Sequence, residues 1–184
     1  MQARRQRTHQ RLMECALDLF EAQGYEQTTV GQIAAAAGVT EMTFFRHFAR
    51  KESVVLADPY DPVLAAGIAA QPVDLAPLTR AARGVREMLA SLPEPHTAVV
   101  RRRVRVIAAS PDLRAGSALN NQATEARIRD QLIADGASPL AAAVAAAALL
   151  AAMTAALFTW ADAEQLSMTG ALQAALHTLE GSDG

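Results

Sequence analysis

Three side chains within six residues have the chemistry to distinguish base pairs. Arg46 could pair with guanine, Glu41 could accept a hydrogen bond from the amino group of cytosine, and Met42 could contact a thymine methyl group. Met42 and Arg46 are four residues apart, so a helix places them on one side, opposite Phe44 and Phe48. The spacing predicts a short helix with an aromatic inner face. Because any short amphipathic helix has this periodicity, an outer face that only meets water remains an alternative.

The elements around these side chains predict a helix-turn-helix. Thr29 and Gln32 have the spacing of a capping box at the start of one helix. Gly38 stands where that helix ends and the chain needs a positive φ. Thr40 then caps a second helix that runs from Glu41 to about residue 48. Two short helices joined by such a turn place the second helix in the major groove of DNA.

Composition predicts an all-α chain whose positive charge lies near this motif. Alanine makes up more than a fifth of the 184 residues, β-branched residues are sparse, and no alternating pattern predicts a sheet. Residues 1–51 hold seven basic and five acidic residues, whereas the remainder holds ten and fourteen. Arg4, Arg5 and Arg7 form a basic arm that either adds phosphate or minor-groove contacts or is only solvated.

Prolines and glycines divide the chain into predicted helices and two domains. Pro59 and Pro62 mark a boundary between residues 1–57, with the motif at about 30–49, and residues 58–184. Cys15, the only cysteine, is expected to be a buried apolar residue of the first helix. The predicted helices are 5–23, the two motif helices, 50–57, 75–92, 95–109, 113–134 with a break near Gly116, 139–163 and 169–179.

Residues 28–52 also contain a characteristic sequence motif, which consists of Thr28-Thr29-Val30, Ile33-Ala34, Ala37-Gly38-Val39-Thr40, Thr43-Phe44-Phe45, His47-Phe48 and Lys51-Glu52. In this motif residues 8–57 resemble the N-terminal domain of the TetR family of bacterial transcriptional regulators. The resemblance implies an N-terminal three-helix DNA-binding domain and a C-terminal helical effector and dimerisation domain. Residues 58–184 resemble the family only in length and helical character.

The resemblance also implies contacts with DNA. Thr43, His47 and Lys51 match positions that touch the phosphate backbone, and Phe45 stands where a tyrosine is usual, so one phosphate hydrogen bond cannot form. Gly31 stands where many relatives carry a long base-reading side chain; Gln32 either replaces it or only caps its helix. The hydroxyls of the two capping threonines can face phosphates. The predicted DNA-contacting residues are Thr29, Gln32, Thr40, Glu41, Met42, Thr43, Phe45, Arg46, His47 and Lys51.

A long apolar segment near the C-terminus predicts a buried helix. Residues 136–161 contain no charged residue and could span a bilayer, but alanine inserts weakly and the flanks are acidic. We therefore expect no membrane span, and a partner subunit could cover the helix. The resemblance implies that residues 139–163 and 169–180 form a four-helix dimer interface, with an intramolecular core as the alternative. The predicted interface residues are Ala143, Ala147, Leu149, Ala151, Met153, Leu157, Leu172 and Leu176.

No catalytic, metal-binding or cofactor-binding pattern is visible, so we do not expect an enzyme. Arg101, Arg102 and Arg103 form a solvated, salt-bridged helix face or meet an acidic effector or partner. Together these patterns predict a cytoplasmic, homodimeric DNA-binding regulator, a repressor that binds a palindromic operator and responds to a small apolar effector of unknown identity. Met88 and Trp160 could line the effector pocket or belong to the core. The alternative is a helical dimer that binds a small molecule or a protein and has a weakened DNA head.

Overall fold

The computed structural model describes residues 2–57, 61–91 and 97–181, which form ten α-helices and no strand. The all-α prediction is therefore confirmed. The helices are α1 (Gln2–Gln23), α2 (Val30–Ala36), α3 (Glu41–His47), α4 (Ser53–Leu56), α5 (Asp61–Ala69), α6 (Pro77–Ser91), α7 (Thr97–Ala109), α8 (Pro111–Ala134), α9 (Pro139–Asp162) and α10 (Met168–Leu179).

The first of two compact units contains α1 to α4 together with residues 102–117. Its core forms because α1 presents apolar side chains on one face, at positions 12, 16, 17 and 20, and buries them with Ile33 of α2 and Phe44 of α3. Residues 102–117 were assigned by sequence to the second domain; here they pack with the first unit. Cys15 is only half-buried, since it lies at the edge of the buried face of α1.

Two positions that were predicted to interrupt helices are helical in the structure. Helix α8 runs unbroken through Gly116, because this glycine allows close packing: a Cβ atom there would lie 2.7 Å from Leu56 Cδ1. Helix α5 occupies part of the segment predicted as a boundary. Pro62 does not prevent it, because the first turn of a helix needs no intrahelical N–H donor.

The second unit contains α5, α6, α9 and α10 with parts of α7 and α8. Helix α9 packs against α6 and α10, and its alanines allow the close approach. Met88 belongs to this core, and Trp160 is also buried, which favours packing over a role as pocket lining. Three of the predicted dimer contacts, Leu149, Leu172 and Leu176, are buried within the subunit. Their contact with a partner stays a prediction.

Helix α9 is the one helix of the described residues that is long and apolar enough to cross a membrane. A single such helix is weak evidence for a membrane span, because core helices meet the same criterion. Only 33% of its most apolar 18-residue window is buried within the subunit. Leu140, Val144, Ala147 and Ala151 form a continuous exposed apolar face on α9, with Leu140 at 76% and Val144 at 56% exposure.

Candidate nucleic-acid interface

Helix α2 is fixed at both ends by local hydrogen bonds. Thr29 Oγ1 accepts from Gln32 N at 3.2 Å, and Gln32 Oε1 accepts from Thr29 N at 2.8 Å, which forms the predicted capping box. After α2, Gly38 adopts φ +63°, and its N–H reaches Ala35 O at 3.0 Å. Val39 N also donates to Ala34 O at 2.9 Å, which completes a Schellman motif. The chain is therefore redirected into α3 with little freedom.

Helix α3 is anchored from behind by aromatic rings. Thr40 Oγ1 accepts from Thr43 N at 3.2 Å and caps the helix. Phe44 and Phe48 are buried in the first unit, with ring centroids 5.5 Å apart. Phe45, the third aromatic residue, lies outside at 51% exposure and packs edge-on against Phe44. The aromatic inner face predicted from the spacing is thus present.

The outer face of α3 presents the side chains expected to read bases. Glu41, Met42 and Arg46 are exposed, Met42 at 70%. Arg46 Nη2 donates to Thr43 Oγ1 at 3.2 Å, and this oxygen is 3.1 Å from Thr40 Oγ1. These contacts hold the guanidinium along the helix surface. Donor, acceptor and apolar groups therefore lie on one exposed surface, which is the composition that reads a major groove.

The structure gives Gln32 a capping role. Its side-chain oxygen accepts from the backbone N–H of Thr29 and also from Gln23 Nε2 at 3.1 Å. An amide oxygen with two donors in place has little capacity left for a base. The two N–H donors of its amide have no partner among the described residues, so a base contact through them stays a prediction.

The ammonium of Lys51 is committed within the protein. Lys51 Nζ donates to Tyr25 O at 2.8 Å and to Thr28 O at 2.9 Å, and it lies 3.9 Å from the centre of the Tyr25 ring. Two of its three N–H groups are therefore occupied. The lysine fastens the turn before α2 to the segment after α3, a role that the sequence did not predict. Its contact with phosphate stays a prediction, which only the third N–H could make.

His9, which the sequence analysis did not single out, contacts two residues at the end of α3. Its ring stacks on Phe48 with centroids 4.4 Å apart and lies 5.8 Å from the ring of His47. Burial, followed by the positive potential of His47 and Arg5, lowers the pKa of His9, and burial followed by Arg5 and Arg46 lowers the pKa of His47. Both rings are therefore mainly neutral at pH 7, and His47 would meet a phosphate as a neutral N–H donor.

The arginine cluster of α7 contacts the chain's own acceptors. In the first unit, Arg102 pairs with Asp18 and Glu21 of α1, each at 2.6 Å, and Arg103 Nη2 donates to Val55 O at 2.8 Å. In the second unit, the guanidinium of Arg101 donates to backbone carbonyls at the C-terminal end of α9, Trp160 O and Ala163 O, and lies over the Trp160 ring. Arg102 is thus salt-bridged as expected and needs no acidic partner from outside, whereas Arg101 and Arg103 donate to backbone carbonyls.

This geometry defines a helix-turn-helix DNA-binding unit joined to a second helical unit. The family model for bacterial regulatory proteins of the tetR family matches residues 12–57. The model for the MftR C-terminal domain matches residues 75–183, which is more than half of the chain. The chain belongs to the TetR family of bacterial regulatory proteins.

Individual relatives match parts of the chain. It is 43% identical over 90 residues to the HTH-type transcriptional regulator TcmR of Streptomyces glaucescens, covering 48% of this chain and 40% of that protein. It is 32% identical over 116 residues to MftR of Mycobacterium tuberculosis, covering 62% of this chain and 58% of that protein. The chain thus spans between 40% and 58% of the length of these curated relatives.

Solved structures share the fold across nearly the whole chain. NalD of Pseudomonas aeruginosa, described as the secondary repressor of the MexAB-OprM multidrug efflux pump, aligns over 96% of both chains with a TM-score of 0.62 and 21% identity. SmeT, described as the repressor of a multidrug efflux pump of Stenotrophomonas maltophilia, aligns over 95% of this chain and 89% of its own with a TM-score of 0.58 and 19% identity. At these identities the likeness establishes the fold alone.

Proposed function

We propose that this chain is a ligand-responsive, cytoplasmic transcriptional repressor that binds a palindromic operator as a homodimer and has no enzymatic role. The observation that carries the proposal is the outer face of α3. Glu41, Met42 and Arg46 are exposed on a helix that is capped at its start and anchored by buried aromatic rings. A short helix held this rigidly is suited to present a fixed pattern of groups to base edges.

The exposed face of α9 supports the homodimer. Leu140, Val144, Ala147 and Ala151 leave an apolar surface uncovered within the subunit, and small side chains let a second helix approach closely. Of the interface residues predicted from the sequence, Ala147 and Ala151 lie on this face, while Ala143, Met153 and Leu157 are half-buried beside it. We assign the dimer contact to this face and not to Leu149, Leu172 or Leu176.

The second unit supplies space for a small effector. A cavity of about 250 Å³ lies beside the buried Arg80, whose guanidinium pairs with Asp135 at 2.7 Å. Val73, Leu75 and Leu132 add apolar lining. An effector with different affinities for two conformations of the dimer would shift the population between them, and the spacing of the two DNA heads would change with it.

Selection of bound DNA from a random pool tests the proposal. The expected result is an inverted repeat whose half-site centres lie about 34 Å apart, one helical turn of DNA, together with a dimer mass in light scattering. The matched control is the same protein with Arg46→Ala, which should relax preference at one position in each half-site. Enrichment of no sequence at moderate salt would refute the repressor, whereas enrichment of a single unrepeated half-site would refute the palindromic dimer. Compounds that raise the Tm must also release the selected DNA to count as effectors.

A further inference from the structure

Gly31 and Glu41 meet where α2 and α3 both begin. A Cβ atom added to Gly31 would lie 2.7 Å from Glu41 Oε1, and 3.8 Å from both Glu41 Cδ and Thr29 Oγ1. The carboxylate of Glu41 therefore lies directly over the backbone of Gly31. An alanine in this place would force the carboxylate to move, and the move is cheap because the contacting atom is the tip of a flexible side chain.

The carboxylate of Glu41 has its hydrogen-bonding capacity unused. Among the described residues it makes no hydrogen bond and no ion pair, and its side chain is exposed. The nearby backbone N–H of Thr29 is already bonded to Gln32 Oε1. No hydrogen-bond donor of the protein holds the Glu41 carboxylate over the backbone of Gly31. The carboxylate can lie there because glycine has no side chain.

We propose that Gly31 is a positioning residue for base recognition: it admits the Glu41 carboxylate to a site on the DNA-facing surface where it accepts a hydrogen bond from cytosine N4 in each half-site. This inference rests on the proposed function and deepens it. Glu41 then contacts the base in place of a long side chain at position 31. A long cation there would pair with Glu41 and cancel its acceptor.

The chemistry of the major groove selects cytosine. A carboxylate only accepts hydrogen bonds, and the donors that base edges present there are cytosine N4 and adenine N6. Adenine also presents its N7 acceptor beside N6, and guanine presents two acceptors, so both repel a carboxylate. Cytosine is therefore the one base that offers a donor without an adjacent acceptor.

Another explanation for Glu41 is that an acid in the first turn of α3 interacts favourably with the helix dipole. The two roles respond differently to position 31. A helix-dipole role tolerates any rotation of the side chain within the first turn, so Gly31→Ala leaves it intact. A base contact depends on the position of the carboxylate oxygens, so the same substitution disrupts it.

The test is a double-mutant cycle at positions 31 and 41, and the measured quantity is the base preference of each variant. The wild type, Gly31→Ala, Glu41→Ala and the double variant are each put through selection of bound DNA, and affinities are then measured on operators changed at single positions. We expect the wild type to prefer cytosine at one position of each half-site by roughly tenfold or more. Gly31→Ala and Glu41→Ala should each lose most of this preference at that position alone. In the Glu41→Ala background, Gly31→Ala should change nothing further.

A conservative variant should gain a new base preference as well as lose the old one. Glu41→Gln should move the favoured base at the same position from cytosine toward adenine, because an amide pairs with adenine N6 and N7. Alanine forms helices better than glycine, so a thermal melt should show Gly31→Ala folded and no less stable than the wild type. Full cytosine preference in Gly31→Ala, or an equal effect of Gly31→Ala with and without Glu41, would overturn the inference. Failure of the wild type to enrich any sequence would instead mark failure of the proposed function.

Discussion

Replacing Lys51 with methionine separates two roles for this side chain. Methionine keeps most of the apolar stem and removes the ammonium, which donates to Tyr25 O and Thr28 O at 2.8 and 2.9 Å. A lysine bound to phosphate would matter for DNA affinity and not for folding. A lysine that fastens the turn before α2 would matter for the local stability of that turn.

The magnitude follows from the contacts. A hydrogen bond from a charged donor contributes about 1.5–3 kcal/mol when buried, and each of these is only partly buried, so about 1 kcal/mol for each is reasonable. The contact with the Tyr25 ring adds about 0.5 kcal/mol at a partly exposed site. We therefore expect Lys51→Met to lower the local free energy of opening by about 2.5 kcal/mol.

Native-state hydrogen exchange of peptides covering residues 20–36 measures this opening directly. Arg50→Met is the matched control, because its side chain is 78% exposed and makes only a 3.6 Å ion pair with Glu52. The control should change exchange in these peptides by less than about 0.5 kcal/mol. The salt dependence of DNA binding, measured on the same variants, would change by about 0.9 in slope for each phosphate that the variant no longer neutralises. Unchanged exchange in Lys51→Met, combined with a reduced salt slope, would refute the fastening role.

Two further predictions concern stability. Gly38→Ala should lower the free energy of unfolding by about 1 kcal/mol, since φ is +63°; urea titration against Gly31→Ala, at a helical glycine without a positive φ, tests this, and equal stability would contradict it. Hydrogen bonds from Gln131 and then Arg80 hold the pKa of Asp135 below its ordinary 3.8. The contribution of the ionised Asp135 to the free energy of unfolding is therefore complete above pH 3.8 and is lost as the pH falls through the lower pKa of the folded protein. Asp135→Asn should lower the free energy of unfolding at pH 7, and this difference from the wild type should shrink below about pH 4. A difference that does not change with pH would contradict this.

The motif was predictable because its signals are local. A capping box, a Schellman glycine and an aromatic pair four residues apart each need only a few neighbouring residues, and the structure forms all three. The roles of Lys51 and Glu41 were not predictable in the same way. Each depends on a residue ten or more positions away, and only the fold determines which backbone atoms a long side chain reaches.

The exposed apolar face of α9 was also not predictable from the sequence. Composition predicts that α9 is apolar all round, but the subunit covers part of it, and periodicity cannot tell which part. Leu149 lies on the covered side, whereas Leu140 and Val144 lie on the open side. The choice is made by α6 and α10, whose packing against α9 the sequence does not encode in any short pattern.

The positions and contacts of the cations indicate which of them are expected to contact phosphate. Arg46 is hydrogen-bonded to Thr43, and Lys51 to backbone carbonyls, so some of the donors of both cations are already used within the protein. Arg4, Arg5 and Arg7 are exposed in the first two turns of α1, which has no acid in its first turn. Cations at a helix N-terminus oppose the helix dipole, and an anion beside them would offset that cost. We therefore expect these three arginines, and not α3 with its single arginine, to set most of the salt dependence of DNA binding.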